Sequence, residues 1–94
     1  MFKWLNKQGV ESTTKGFVVQ SIDRFTIEYK EGNKHISLYV ERGFLPDGKV
    51  CVYITPKAFQ KWDDGVLIST TKQIELLKNF KEAMEFQGVA VLVD

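Results

Sequence analysis

The stretch from Thr70 to Asp94 constrains the fold most, because it joins one amphipathic helix directly to one short apolar strand. At 100° per residue, Leu76, Leu77, Phe80, Ala83 and Met84 fall within an arc of about 120°, a stripe that has to face a core. Lys72, Glu75, Lys78, Asn79, Lys81, Glu82 and Glu85 occupy the rest of the helix. Thr70 fits the N-cap, and Gln73 three positions later completes a capping-box pattern. Gly88 fits a C-terminal position that needs positive φ. Val89 to Val93 is apolar throughout and reads as a strand covered on both faces. A striped helix needs a flat apolar surface to lie on, so the preceding residues have to supply a sheet.

They carry the pattern for one. Residues 16 to 22 read as a first strand and Asp23-Arg24 as a turn. Phe25, Ile27 and Tyr29 then alternate with Arg24, Thr26, Glu28 and Lys30, the period of a half-buried strand. Glu31-Gly32-Asn33 signals a tight hairpin. From His35 to Glu41 the alternation resumes, with Ile36, Leu38 and Val40 on one face and His35, Ser37, Tyr39 and Glu41 on the other. Pro46-Asp47-Gly48 marks a turn. Val50, Val52 and Ile54 give the core face of a fourth strand, with Cys51 and Tyr53 behind. Pro56 suits the start of a short helical turn with Ala58, Phe59 and Trp62 on its apolar edge, broken by Asp63-Asp64-Gly65. The expected fold is α+β: an antiparallel four- to five-stranded sheet, one long C-terminal amphipathic helix packed on one face, then a final strand. Residues 16 to 94 form its single domain. Residues 1 to 15, with Phe2, Trp4 and Leu5 ahead of a polar loop, read as a lead-in, either frayed or a short helical turn packing Trp4.

Composition excludes several classes of function. The 94 residues are 44% hydrophobic and carry a formal net charge of +1. Disorder is therefore not expected, and there is no charge excess to draw nucleic acid or an anionic membrane. The apolar run of five residues from Val89 is far short of the roughly 20 needed to span a bilayer. The opening residues lack a signal-peptide core, and the single Cys51 permits no internal disulfide, so a cytoplasmic address is expected.

No motif names a reaction. His35 is the only histidine, Cys51 stands between valines with no nearby cation to activate it, and no metal-ligand spacing or phosphate loop occurs. No catalytic residue, metal or cofactor is expected. Asp63 and Asp64 form a solvated turn on this reading, and an enzyme built on them with His35 is the weakest of the alternatives. A partner-contact role is better supported, because Trp62 stands beside the two acids and aromatic residues flanked by charge anchor many interfaces, although an ordinary core position for Trp62 stands slightly ahead of it. Tyr39 lies on the strand face away from the apolar row and belongs to an exposed platform if that face is uncovered. Phe86 lies about 120° from the centre of the helical stripe.

From Glu41 onward the order of features resembles a family of small bacterial immunity proteins encoded beside polymorphic toxins, including contact-dependent growth-inhibition systems. The resemblance covers roughly residues 36 to 94. It rests on the Trp62-Asp63 step before the helix and on the helix end Ala83-Met84-Glu85-Phe86-Gln87-Gly88. Asp64-Gly65 stands where a proline is expected soon after Trp62-Asp63. The resemblance implies a non-enzymatic inhibitor whose partner is a cognate toxin C-terminal domain, often a nuclease. Inhibitors of nucleases offer acidic surfaces to a basic cleft, so the expected contact residues are Glu28, Glu41, Asp63 and Asp64 with Tyr39 and Trp62. The alternative is a general interaction module, or one that self-associates through an edge strand.

Overall fold

The structure, a computed structural model, describes residues 1–93. Eight strands and one α-helix follow in the order β1 (Phe2–Asn6), β2 (Gly9–Ser12), β3 (Val18–Ser21), β4 (Thr26–Glu31), β5 (Lys34–Tyr39), β6 (Glu41–Phe44), β7 (Val50–Ile54), α1 (Thr70–Phe86) and β8 (Ala90–Val93). The fold is α+β, with an antiparallel sheet, the C-terminal helix packed on it and a final strand. Its Cα radius of gyration of 12.6 Å matches the roughly 12 Å of a compact chain this long.

The strands form two sheets rather than one. β1 to β5 make a five-stranded antiparallel meander in chain order, and β6, β7 and β8 make a three-stranded sheet. The row Trp4, Val10, Val19, Tyr29 and Ile36 runs across all five strands of the first sheet on its inner face. The chain changes sheet at Val40, which is fully buried and whose N–H donates to the Phe25 carbonyl at 2.8 Å. A single extended residue makes this corner, so the alternation Ile36, Leu38, Val40 continues through it with no turn residue to mark it. The strand expected as the fourth of one meander is therefore the centre of the second sheet. β7 pairs antiparallel with β6 and parallel with β8, across the long connection that contains α1.

The first 15 residues are not a lead-in. They form β1 and β2, which pair with each other and with β3, and Val10 is part of the core. Phe2 and Trp4 meet the end of the helix, with ring centroids 5.4 and 5.9 Å from Phe86. Phe86, off the main helical stripe, thus packs on the amino-terminal hairpin.

The helix begins one residue before its expected cap. Ser69 holds extended dihedrals, and its Oγ accepts the Lys72 N–H at 3.2 Å. Gln73 then falls one position beyond the capping-box site, and its Nε2 donates to the Ile68 carbonyl instead. The C-terminus follows expectation. Gly88 takes φ +80°, its N–H donates to Glu85 O, and the Val89 N–H donates to Met84 O, both at 2.9 Å. This is a Schellman closure, in which the positive φ suits only glycine without strain.

The buried face of α1 is Leu76, Asn79, Phe80, Ala83 and Met84, while Leu77 is half-buried. Asn79, expected on the polar arc, is 1% exposed. Its Nδ2 donates to the Tyr29 hydroxyl at 3.1 Å, and its Oδ1 accepts from Lys15 Nζ. Tyr29 in turn donates to Glu31 Oε1 at 2.8 Å, and Lys72 bridges Glu31 and Glu75. Burial first, with the neighbouring Glu31 carboxylate adding to it, pushes the Tyr29 hydroxyl far above its ordinary pKa, so it stays protonated and donates.

Two local expectations are corrected. Residues 56 to 62 form successive turns closed by Ala58 N–H to Thr55 O and Gln60 N–H to Lys57 O, not a helix. The bridge between Lys61 and Leu67 needs extended backbone there and ends any helical path. β8 is not covered on both faces: Ala90, Val91 and Leu92 are half-buried and Val93 is exposed, because β8 is the edge of the smaller sheet. Among the described residues no helix is long and apolar enough to cross a membrane.

Candidate interaction surface

α1 covers the inner face of the five-stranded sheet and leaves the outer face open. Alternation puts Thr26, Glu28 and Lys30 of β4 on that outer face, paired with Tyr39, Ser37 and His35 of β5. Tyr39 is 66% exposed, and its ring stacks on Phe25 at 6.2 Å with 17° between the planes. Phe25, expected on the core face with Ile27 and Tyr29, is half exposed instead. It precedes β4 in a turn where its N–H donates to Asp23 Oδ1, and this turn breaks the strand's alternation.

The loop of residues 61 to 67 lies against the free edge of β5. The Asp63 N–H donates to the His35 carbonyl at 2.9 Å, and the Asp63 carboxylate accepts the Ser37 N–H at 3.0 Å and the Ser37 hydroxyl at 2.7 Å. Asp63 thereby satisfies the backbone groups that an edge strand would otherwise offer to another chain. Asp64 accepts from Lys34 Nζ at 2.5 Å and from the Val66 N–H at 3.0 Å. The Lys34 bond is the main cause that holds the Asp64 carboxyl below its usual range. Both acids thus hold the loop to the sheet. Trp62 turns the other way and is 9% exposed, in the core cluster with Phe59 and Ile68.

Of the six residues expected to contact a partner, Glu28, Tyr39 and Asp63 therefore share one region, with Ser37 between Glu28 and Asp63. Asp64 borders it. Glu41 lies beyond the corner at Val40, exposed and paired with Tyr53 in the second sheet. Trp62 is removed from the surface. Tyr53 is half-buried. Its ring lies over Gly43, where a Cβ would come within 3.3 Å of it.

His35 Nε2 lies 3.3 Å from Asp63 Oδ2, beside the Ser37 hydroxyl. The order of the three groups decides their chemistry. Hydrolytic triads place the imidazole between nucleophile and acid, whereas here the carboxylate is in the middle, accepting the Ser37 hydroxyl and lying 3.3 Å from the imidazole. This geometry orients a loop and is not the nucleophile–imidazole–acid order of a triad. Among the described residues no three His, Cys, Asp or Glu side chains come together to hold a metal ion.

Phe25 and Ile22 are exposed residues that periodicity did not place at the surface. The only local signal was the Asp23-Arg24 turn, whose kink exposes the residues on either side. No protein-family model matches the chain, and neither a curated protein nor a solved structure matches it.

Proposed function

We propose that this chain is an immunity protein: a cytoplasmic, non-enzymatic inhibitor that binds the C-terminal domain of a cognate bacterial toxin and blocks it stoichiometrically. The toxin rests on the sequence resemblance of residues 36 to 94. Binding through the outer sheet face is supported by one observation, the stacked pair Tyr39–Phe25 exposed on a face that no other element covers. Rigid aromatic side chains on a packed sheet lose little entropy on contact and make effective anchors. Glu28 and Asp63 lie on the same region and add acceptors for basic groups. The toxin's C-terminal domain, from the gene beside this one, should arrest growth of a naive bacterium, and co-expression of this chain should restore it. Tyr39→Ala should weaken rescue and co-purification while leaving the melting temperature unchanged. A harmless neighbour, or toxicity this chain does not relieve, would refute the proposal.

The second reading is self-association. Its support is the free edge of β1, which carries Trp4 at 52% exposure next to the exposed Leu5. Sedimentation that shows a concentration-dependent dimer, abolished by Trp4→Lys, would favour it. A monomer across micromolar concentrations would remove it.

A further inference from the structure

The turn between β3 and β4 is the centre of a surface that neither the outer sheet face nor the 61–67 loop accounts for. A cleft of about 450 Å³ opens there, lined by Trp4, Lys7, Ile22, Arg24 and Arg42 and by the end of α1 at Gln87. Arg42 Nε donates to the Arg24 carbonyl at 2.9 Å and its Nη2 donates to Ser21 Oγ at 3.2 Å. Arg42 thus holds the turn and keeps further N–H groups for a ligand, since a guanidinium carries five. The Arg24 guanidinium lies 5.7 Å from the Phe25 ring, which continues the surface to Tyr39. Trp4, Ile22 and Phe25 are each about half exposed.

Among the described residues the cations of this cleft are without ion pairs, as several lysines elsewhere are, but here three of them line one hollow. Lys3, Lys34 and Lys72 each form an ion pair with a carboxylate. Lys7, Arg24 and Arg42 form none among the described residues. Asp23 is the one carboxylate in the lining, and its Oδ1 already accepts the Phe25 N–H. Glu41, next to Arg42, points to the opposite face of β6. Three cations and several exposed apolar side chains therefore meet with one acid among them.

We propose that this cleft docks an acidic protein segment. Its carboxylates face Lys7, Arg24 and Arg42, and an apolar or aromatic side chain enters between Trp4 and Ile22. Complementarity of charge sets the sign of the partner, and the apolar floor sets its kind. A nucleic acid needs a continuous basic track for its phosphates, and here Asp23, Ile22 and Trp4 interrupt the cations. The inference is independent of the toxin proposal, because it concerns the chemistry of whatever segment binds at this turn.

The test uses the full chain labelled with ¹⁵N and titrated with three probes: a short Glu-rich peptide containing Trp, its Lys-rich counterpart, and oligothymidine. The Glu-rich peptide should shift amide resonances clustered at Lys7, Ile22 to Phe25 and Arg42, and the shifts should weaken as salt is raised. The double variant Lys7→Glu, Arg24→Glu changes side chains that make no hydrogen bond or ion pair among the described residues, so its melting curve should match the parent's. It should bind the Glu-rich peptide about tenfold more weakly or worse, and it should bind the Lys-rich peptide better than the parent does. No saturable shift with the Glu-rich peptide, shifts centred on another surface, or tighter binding of oligothymidine would each overturn the proposal.

Discussion

Asp63→Ala separates a structural from a binding role for the acidic loop, and its effect follows from the geometry. The substitution removes two hydrogen bonds accepted by a carboxylate, from the Ser37 N–H at 3.0 Å and the Ser37 hydroxyl at 2.7 Å. Hydrogen bonds to charged groups contribute about 1.5–3 kcal/mol each when protected from water. The Asp63 side chain is 34% exposed, so each bond falls near or below the low end of that range. The neighbouring His35 adds at most a surface ion pair, about 0–1 kcal/mol. The expected loss is about 2 kcal/mol, which lowers the melting temperature by about 8–16 °C in a domain this small. Native-state hydrogen exchange should show the Ser37 amide, whose acceptor is Asp63, exchanging at least about tenfold faster. Asp63→Asn keeps an oxygen for the Ser37 N–H and should lose less than the alanine variant. Because the loop shields the β5 edge, the alanine variant should also self-associate more readily. An Ala variant as stable as the parent, with unchanged exchange at Ser37, would refute the view that Asp63 fastens the loop.

Phe80→Ala removes a fully buried ring that meets Phe59 edge-on at 5.9 Å, and urea unfolding should show a loss of about 3–5 kcal/mol. Leu77→Ala, at a half-buried position, should lose clearly less, and equal losses would contradict the helix orientation described here. Deleting residues 1 to 15 removes two strands and the core residue Val10, so the remainder should lack a cooperative melting transition; a native-like transition would return those residues to a dispensable lead-in. The pH dependence should fall at the alkaline end. The folded state holds the Tyr29 proton by burial and the Lys72 proton chiefly through its bond to Glu31, so both pKa values lie above their unfolded values near 10. Their contribution is complete below about pH 10 and is lost as pH rises further, and Tyr29→Phe should flatten that decline in stability measured by urea. In acid, Asp64 and Glu75, held low chiefly by Lys34 and Lys72 respectively, contribute above the usual carboxylate range and lose that contribution as pH falls through their lowered values. Both are solvated, so that change should be small.

The elements legible in the sequence were those whose information is local. The helix followed from its apolar stripe and from Gly88, and β4, β5 and β7 followed from alternation and from the turns between them. The pair β1 and β2 was not legible. Its strands are short, five and four residues, the turn at Lys7-Gln8 carries no strong hairpin residues, and its stability comes from β3 and from Phe86 far along the chain. Of the expected contact residues, Glu28 and Tyr39 share a face because strand parity is a local property, whereas Asp63 joins them only through the tertiary bonds of its loop to β5. Trp62 was legible as core from its apolar edge with Ala58 and Phe59, and only its acidic neighbours made it a contact candidate. Its acidic neighbours read as surface, yet their bonds to β5 are what turn the indole inward.

By itself the sequence determined the order and type of most elements, which side of each is apolar and where the long helix ends. It did so because a period of two or 3.6, a cap or a glycine at positive φ acts over a few residues. The tertiary structure alone decided that the strands divide into two sheets at Val40, that Asn79 is buried and that Lys7, Arg24 and Arg42 line one cleft. Each of these depends on what lies opposite an element. Asn79 is the plainest case: its partner Tyr29 is 50 positions away, and only the packing of helix on sheet brings an amide to a hydroxyl that would otherwise be buried with its lone pairs unmet.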